Sequence, residues 1–267
     1  MLLKPNHLRA FALMLPLLVV SAGCDIAMAD FNERQSDEWR KSYTLQPGGR
    51  VAISNVNGKI DVVAGDGNEV EVVAKKTGRA ASQEAAKEAL GRIQIVDSVS
   101  DGVIKVETKI DRSAGGLFNH SGTQVEYTVR LPRSAALDVS TVNGGIEIVG
   151  VTGAVVAEAT NGGVRARDIS GAIDASTTNG GVDVELASVS PDGVKLECTN
   201  GGVTLSLPAD AKATISARVT NGGIDTNDLK LETRGEITRR RLDGDLNGGG
   251  PRIQLSGTNG GIKIRSR

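Results

Sequence analysis

Aromatic residues are scarce in this sequence. Phe, Trp and Tyr together make up 2% of the chain, and none of them occurs after Tyr127. Globular cores use these large side chains to fill the gaps between packed layers. A core of Val, Ile, Leu and Ala suits a thin fold in which small side chains stack on one another. The absence therefore indicates a change of architecture near residue 130.

Cysteine and histidine are also rare, with two of each. Two cysteines, Cys24 and Cys198, allow at most one disulfide bond, which excludes a disulfide-rich scaffold. No group of His and Cys residues has the spacing of a zinc site, and no phosphate-binding or dinucleotide-binding glycine motif is present. The sequence accordingly predicts no metal, no cofactor and no catalytic residue.

An excess of positive charge is missing as well. The formal net charge is −1, and the chain without its first 23 residues has 29 basic and 32 acidic residues. A groove for nucleic acid needs clustered positive charge to displace counterions. We therefore expect no nucleic acid among the partners of this protein.

The beginning of the chain has the pattern of an export signal. Lys4 and Arg9 precede an apolar run from Ala10 to Val20. This run is too short to span a bilayer comfortably as a permanent helix. We interpret residues 1–23 as a signal peptide with a basic start and an apolar centre.

The predicted signal peptide ends at a cysteine. The stretch Ser21-Ala22-Gly23-Cys24 resembles the lipobox of bacterial lipoproteins, although that motif usually has Leu where this chain has Ser21. The resemblance implies that Cys24 is lipidated and anchors the protein to a membrane of the cell envelope, facing the periplasm or the cell surface. A competing cleavage motif, Ala27-Met28-Ala29, would instead give a soluble periplasmic protein. We interpret residues 24–45 as a polar, irregular tether.

Residues 46–132 have the signals of a β-rich region with antiparallel strands. Asn57-Gly58, Asp66-Gly67 and Asp101-Gly102 each lie between runs of alternating apolar residues, which predicts a hairpin at each position. One short helix is predicted between the last two positions, from Ser82 to Leu90. Ser82 is its expected N-cap, and Gly91 is expected to end it.

The rest of the chain repeats one pattern. Asn-Gly-Gly recurs in phase at Asn143, Asn161, Asn179, Asn200, Asn221 and Asn259. Apolar residues occupy the positions six before, four before and three after each Asn, with polar residues between them. This alternation on both sides of a fixed turn predicts a parallel β-solenoid over residues 133–267, in which stacked coils complete a common core.

The repeated positions predict specific roles. Gly-Gly permits the positive φ that a tight corner needs. By parity we expect the six Asn side chains to point into the corner and form a ladder of hydrogen-bonded amides. Cys198 falls at an apolar position and is expected to be buried.

One column of mostly ionisable residues lies four positions after the Asn. It contains Glu147, Arg165, Asp183, Thr204, Asp225 and Lys263. Parallel β-helices that cleave polysaccharides have carboxylates and basic residues on such an exposed face. An Arg between two acids lowers their pKa values, however, and a general acid needs the opposite shift. The column therefore predicts charge pairing between coils and no enzymatic activity.

The repeats resemble a known family. The stretches 130–146 and 247–264 are similar to the bacterial β-strand-repeat domain of unknown function called a putative adhesin. The resemblance covers approximately residues 45–267. It implies an exported, all-β protein that is often a lipoprotein, and it implies no established activity.

These observations predict a non-catalytic envelope lipoprotein with a solenoid surface for binding or scaffolding. Its partner would be an envelope protein or a polysaccharide, besides the membrane itself. Two alternatives stay open. One is a carbohydrate-active enzyme of the parallel β-helix type, and the other is a scaffold that assembles through unpaired strands at the ends of the solenoid.

Overall fold

A computed structural model describes residues 33–111, 121–226, 229–233 and 238–267. The predicted signal peptide, the lipidation site at Cys24 and the competing cleavage motif at Ala29 lie outside the described residues.

Strands dominate the described parts of the chain. The N-terminal half contains β1 (Glu33–Thr44), β2 (Arg50–Asn57), β3 (Ile60–Gly65), β4 (Glu69–Ala80), α1 (Gln83–Gly91), β5 (Ile93–Ser100), β6 (Val103–Ile110) and β7 (Gly122–Pro132). The repeats that follow contain β8 (Ala136–Asn143), β9 (Ile146–Val149), β10 (Val155–Asn161), β11 (Val164–Ile169), β12 (Ile173–Asn179), β13 (Val182–Leu186), β14 (Val194–Asn200), β15 (Val203–Leu207), β16 (Ala213–Asn221), β17 (Ile224–Asp225), β18 (Leu231–Thr233), β19 (Arg241–Leu246), β20 (Arg252–Asn259) and β21 (Ile262–Ser266).

The strands form two large sheets. The first sheet has the order β1-β4-β7-β3-β9-β11-β13-β15-β21-β17, and the second has the order β18-β19-β16-β20-β14-β12-β10-β8-β2-β6-β5. Neighbouring repeat strands are parallel and in register. Side chains buried beneath both sheets belong to one hydrophobic core. The prediction of an all-β, mostly parallel, solenoid-like fold is confirmed.

Each coil contributes one strand to each sheet, and the side chains of both strands alternate between the core and the solvent. Around Asn161, β10 lies in the second sheet and β11 in the first. Ala157 and Val164 are buried, whereas Glu158 and Arg165 are exposed. Since successive residues of a strand face opposite sides, every coil presents one apolar row inward and one polar row outward. Stacking these rows builds a core without aromatic residues in the repeats.

The last coil lies inside the stack. Strand β20 pairs with β14 on one side and with β16 on the other, and β21 lies between β15 and β17. The corner of Asn259 is therefore located between those of Asn200 and Asn221. Strand β19 pairs in antiparallel fashion with the outer edge of β16.

The hairpins predicted at Asn57-Gly58 and Asp66-Gly67 are wrong. Strand β3 pairs with β7 and β9, whereas β4 pairs with β1 and β7. Strands β2 and β3 lie in different sheets, and they pair in parallel with β8 and β9. Gly58 has a φ of 123°, and a glycine with positive φ suits a coil corner as well as a hairpin turn. The N-terminal region therefore contributes a coil of its own. It is antiparallel only in part, at β1, β4 and β5.

The irregular tether predicted over residues 24–45 is also wrong in its described part. Residues 33–44 form β1, which pairs with β4 over its whole length. Tyr43 is buried and Trp39 packs against the core. The remaining side chains of β1 are largely charged because it is an edge strand, where charge discourages pairing with another chain. This polar composition concealed the strand.

Two local predictions for the N-terminal region are confirmed. Helix α1 begins after Ser82, whose hydroxyl oxygen accepts a hydrogen bond from the amide of Ala85 at 3.2 Å. Strands β5 and β6 form the hairpin predicted at Asp101-Gly102. Both turn residues have positive φ, as a tight hairpin turn requires.

Candidate functional site

A row of asparagine amides follows the corner between the two sheets. Each Nδ2 donates to the Oδ1 of the neighbouring coil over 2.8–2.9 Å: Asn143 to Asn57, Asn161 to Asn143, Asn179 to Asn161, Asn200 to Asn179, Asn259 to Asn200 and Asn221 to Asn259. We call this row the asparagine ladder. Asn57 was missed as a member, although Val51, Ile53 and Ile60 occupy the apolar positions around it that define the repeat.

The ladder is exposed, and the expectation that its side chains point inward is wrong. In the coil of Asn179, Thr177 is buried, Thr178 and Asn179 are exposed, and Val182 is buried again. The chain turns between Thr177 and Val182. Counting by twos across this turn therefore assigns Asn179 to the wrong face.

The inner side of the corner is occupied by the residue two positions before the Asn. The Thr177 hydroxyl donates to the carbonyl oxygen of Gly162 at 2.7 Å, and the Cys198 thiol donates to that of Gly180 at 3.2 Å. Cys198 is buried, as predicted, and burial raises the pKa of its thiol. It therefore acts as a small side chain with a weak donor, in the position that Thr occupies in other coils.

Replacing Asn179 by Ala should destabilise the protein more than replacing Asp183 by Ala. The first change removes a hydrogen bond to Asn161 and one from Asn200, each contributing about 0.5–1.5 kcal/mol. The second removes an exposed ion pair with Arg165, which contributes under about 1 kcal/mol. Urea unfolding of both variants measures the difference. Equal midpoints would show that the ladder hydrogen bonds of Asn179 contribute no more to stability than this exposed ion pair.

The column of ionisable residues lies on the outer face of the first sheet. Its order along the stack is Asp61, Glu147, Arg165, Asp183, Thr204, Lys263 and Asp225. The structure thus makes the predicted residues direct neighbours and adds Asp61. Lys263 precedes Asp225 because the last coil is inserted. Arg165 and Asp183 form an ion pair with an Nε–Oδ2 distance of 3.9 Å.

Glu147 has basic partners from two neighbouring coils. Its carboxylate lies 3.1 Å from Lys59 Nζ and 3.2 Å from Arg167 Nη1, and Lys59 also contacts Asp61 at 2.7 Å. The hydrogen bond from Lys59, followed by the charges of Arg167 and Arg165, lowers the pKa of Glu147. The charged form is favoured, which is unsuitable for a general acid. Lys59 was missed because Asn57-Gly58 was interpreted as a hairpin.

A shallow groove of about 450 Å³ runs between the asparagine ladder and this column. Its lining includes Lys59 and four members of the column, Glu147, Arg165, Asp183 and Thr204. It also includes the second glycine of four successive corners, Gly145, Gly163, Gly181 and Gly202. We call it the glycine groove. It can accept an extended molecule, and its lining alternates hydrogen-bond donors and acceptors.

The described parts of the chain contain neither a metal-binding cluster nor a membrane-spanning helix. No cluster of three or more His, Cys, Asp or Glu side chains there could hold a metal ion. None of the helices described is long and apolar enough to cross a membrane.

Comparison with known proteins identifies the repeat region. Residues 137–265 match the family described as Toastrack DUF4097. The chain therefore contains a Toastrack DUF4097 domain, and the resemblance inferred from the Asn-Gly-Gly stretches is confirmed. No curated protein matches the sequence.

Solved structures that match this chain come from several bacteria. A putative cell adhesion protein from Clostridium sporogenes is 14% identical, with a TM-score of 0.49 over 86% of this chain and 100% of its own. A putative adhesin from Bacteroides fragilis is 10% identical, with a TM-score of 0.37 over 86% and 97%. A putative lipid binding protein from Parabacteroides distasonis is 11% identical, with a TM-score of 0.30 over 85% and 96%.

Proposed function

We propose that this protein is a non-catalytic lipoprotein of the bacterial cell envelope whose solenoid surface binds a ligand or serves as a scaffold. The observation that carries the proposal is the outer face of the first sheet. Acidic and basic side chains there pair with one another from coil to coil. Such a face is fixed by the parallel strands beneath it and offers an extended surface for contacts.

The same pairing argues against hydrolysis of carbohydrates. A retaining or inverting glycosidase needs a carboxylic acid with a raised pKa, whereas the pKa of Glu147 is lowered by Lys59 and two arginines. We expect the purified protein to release no reducing ends from polyuronates, peptidoglycan or glucans. Release that Asp183→Asn abolishes would establish the carbohydrate-active enzyme instead.

The anchor rests on the lipobox-like sequence at Cys24. A thioether-linked diacylglycerol with an added N-acyl chain provides three acyl chains. Stable attachment to a membrane needs only two membrane-binding groups. We expect the wild-type protein to partition into detergent and Cys24→Ala to move to the soluble fraction.

Cys198→Thr is the matched control for this experiment. It changes the other cysteine to the residue that other coils have at the same position, Thr141 and Thr177, and should stay with the membrane. Mass spectrometry of the wild-type protein identifies its N-terminus. A mature chain that starts at Asp30 without acyl chains would contradict lipidation.

A further inference from the structure

The glycine groove presents backbone donors in a row. At the corners, the carbonyl groups of Gly162 and Gly180 contact the buried Thr177 and Cys198 side chains. In a trans peptide the carbonyl and the following N–H point in opposite directions. The N–H groups of Gly163 and Gly181 are therefore directed away from these buried side chains, and both residues line the groove.

These donors are unused within the described parts of the chain. The first glycine of a corner inside the stack donates to the next coil, as Gly162 does to the Asn179 carbonyl at 2.8 Å. In the described chain the N–H groups of the second glycines in the groove, Gly145, Gly163, Gly181 and Gly202, have no protein acceptor. A ligand with acceptor groups can therefore bind along this row.

We propose that the glycine groove binds a linear, uncharged, hydroxyl-rich glycan laid along the stack of coils. The inference rests on the proposed binding function and names its ligand class. Hydroxyl groups both donate and accept hydrogen bonds. They can donate to Glu147 and Asp183 and accept from Lys59, Arg165 and the glycine N–H groups.

The alternation of charge selects against other polymers. A polyanion would lie against Glu147 and Asp183, and a polycation would lie against Lys59 and Arg165. Neighbouring coils are about 4.8 Å apart, which is close to the length of one pyranose ring in an extended chain. Each sugar of a linear glycan can therefore meet one coil, with its glycine N–H group and one member of the charged column.

The floor of the groove is open because the second glycines have no side chain. A Cβ on Gly181 would lie 3.5 Å from the Gly202 carbonyl oxygen, an ordinary contact. Gly181→Ala should therefore fold while adding a methyl group to the floor. Arg165→Gln removes a charged donor from the rim. These two variants probe the backbone row and the charged column separately.

The test measures binding of oligomers to the full-length protein by calorimetry. The probes are β-1,4-linked N-acetylglucosamine and β-1,4-linked glucose, each as a length series from monomer to hexamer. The affinity of at least one series should rise with length, with its hexamer binding about tenfold or more tightly than its dimer. Arg165→Gln should weaken hexamer binding about tenfold, the effect of one charge-assisted hydrogen bond. Gly181→Ala should weaken it to a similar extent because its methyl group holds the glycan away from the neighbouring backbone N–H groups.

Lys195→Gln is the control. Lys195 lies on the second sheet, is 46% exposed in its side chain against 52% for Arg165, and also forms ion pairs. Its replacement should leave hexamer affinity unchanged. If neither hexamer binds, or if the two groove variants bind like the wild type, the glycan inference is wrong. Retention of the protein by envelope extract in that case would leave the broader binding function intact.

Discussion

A chain that ends at Gly250 should unfold at a much lower urea concentration than the full chain. The truncation removes β20 and β21 from the interior of the stack, so that β14 and β16 lose the strand that joins them. Four buried aliphatic side chains are lost with it, Ile253, Leu255, Ile262 and Ile264. Each contributes about 1.5–3 kcal/mol when fully buried.

The comparison that isolates this effect is a chain that ends at Arg265. It keeps all four buried side chains and loses only Ser266 and Arg267, whose contacts include an ion pair with Glu185 and a hydrogen bond from the Arg267 amide to the Leu207 carbonyl oxygen. Its midpoint should stay close to that of the full chain. An ordinary solenoid that loses a terminal repeat loses one interface between repeats. This chain loses two, because β20 pairs with both β14 and β16. Similar midpoints for the two truncations would contradict the inserted position of the last coil.

Replacing Gly180 by Ala should be among the most damaging single changes in the repeats. Its φ is 153°, and an added Cβ would lie 2.3 Å from the carbonyl oxygen of Gly162. That carbonyl is held by the Thr177 hydroxyl and by the stack of coils, so it cannot move aside without disturbing both. We expect a loss of roughly 3 kcal/mol or more in the free energy of unfolding.

The adjacent glycine is the control for this prediction. Gly181→Ala makes an ordinary contact and should change stability by less than about 1 kcal/mol. Far-UV circular dichroism in urea follows both variants, since the repeats have no aromatic probe. Similar losses in the two variants would mean that the close approach of the coils at Gly180 does not limit the fold.

The repeat could be predicted from the sequence because its signals are local and recur. Alternation around Asn161 or Asn179 identifies the strands, the buried rows and the corner, and the structure agrees with each of these. The charged column follows from the same register. Ion pairing within the column could also be predicted, because Arg165 lies between the acidic residues Glu147 and Asp183.

Other features depend on which strands meet, and local sequence does not determine this. Asn57-Gly58 has the same turn chemistry in a hairpin and in a coil corner, so Lys59 and Asp61 were not recognised as neighbours of Glu147. The place of Asn259 in the stack depends on pairing across 38 and 59 residues, to Asn221 and Asn200 respectively. The exposed side chain of Asn179 depends on the geometry of the turn itself.

The inserted coil also imposes an order on folding. Strands β8, β10, β12 and β14 can stack in the order in which they are synthesised. Strand β16 cannot join them, because its parallel partner β20 is made later, and until then only β19 is available to it. For a chain that emerges from its N-terminus, the stack can be completed only by β20 and β21, which emerge after every other described strand.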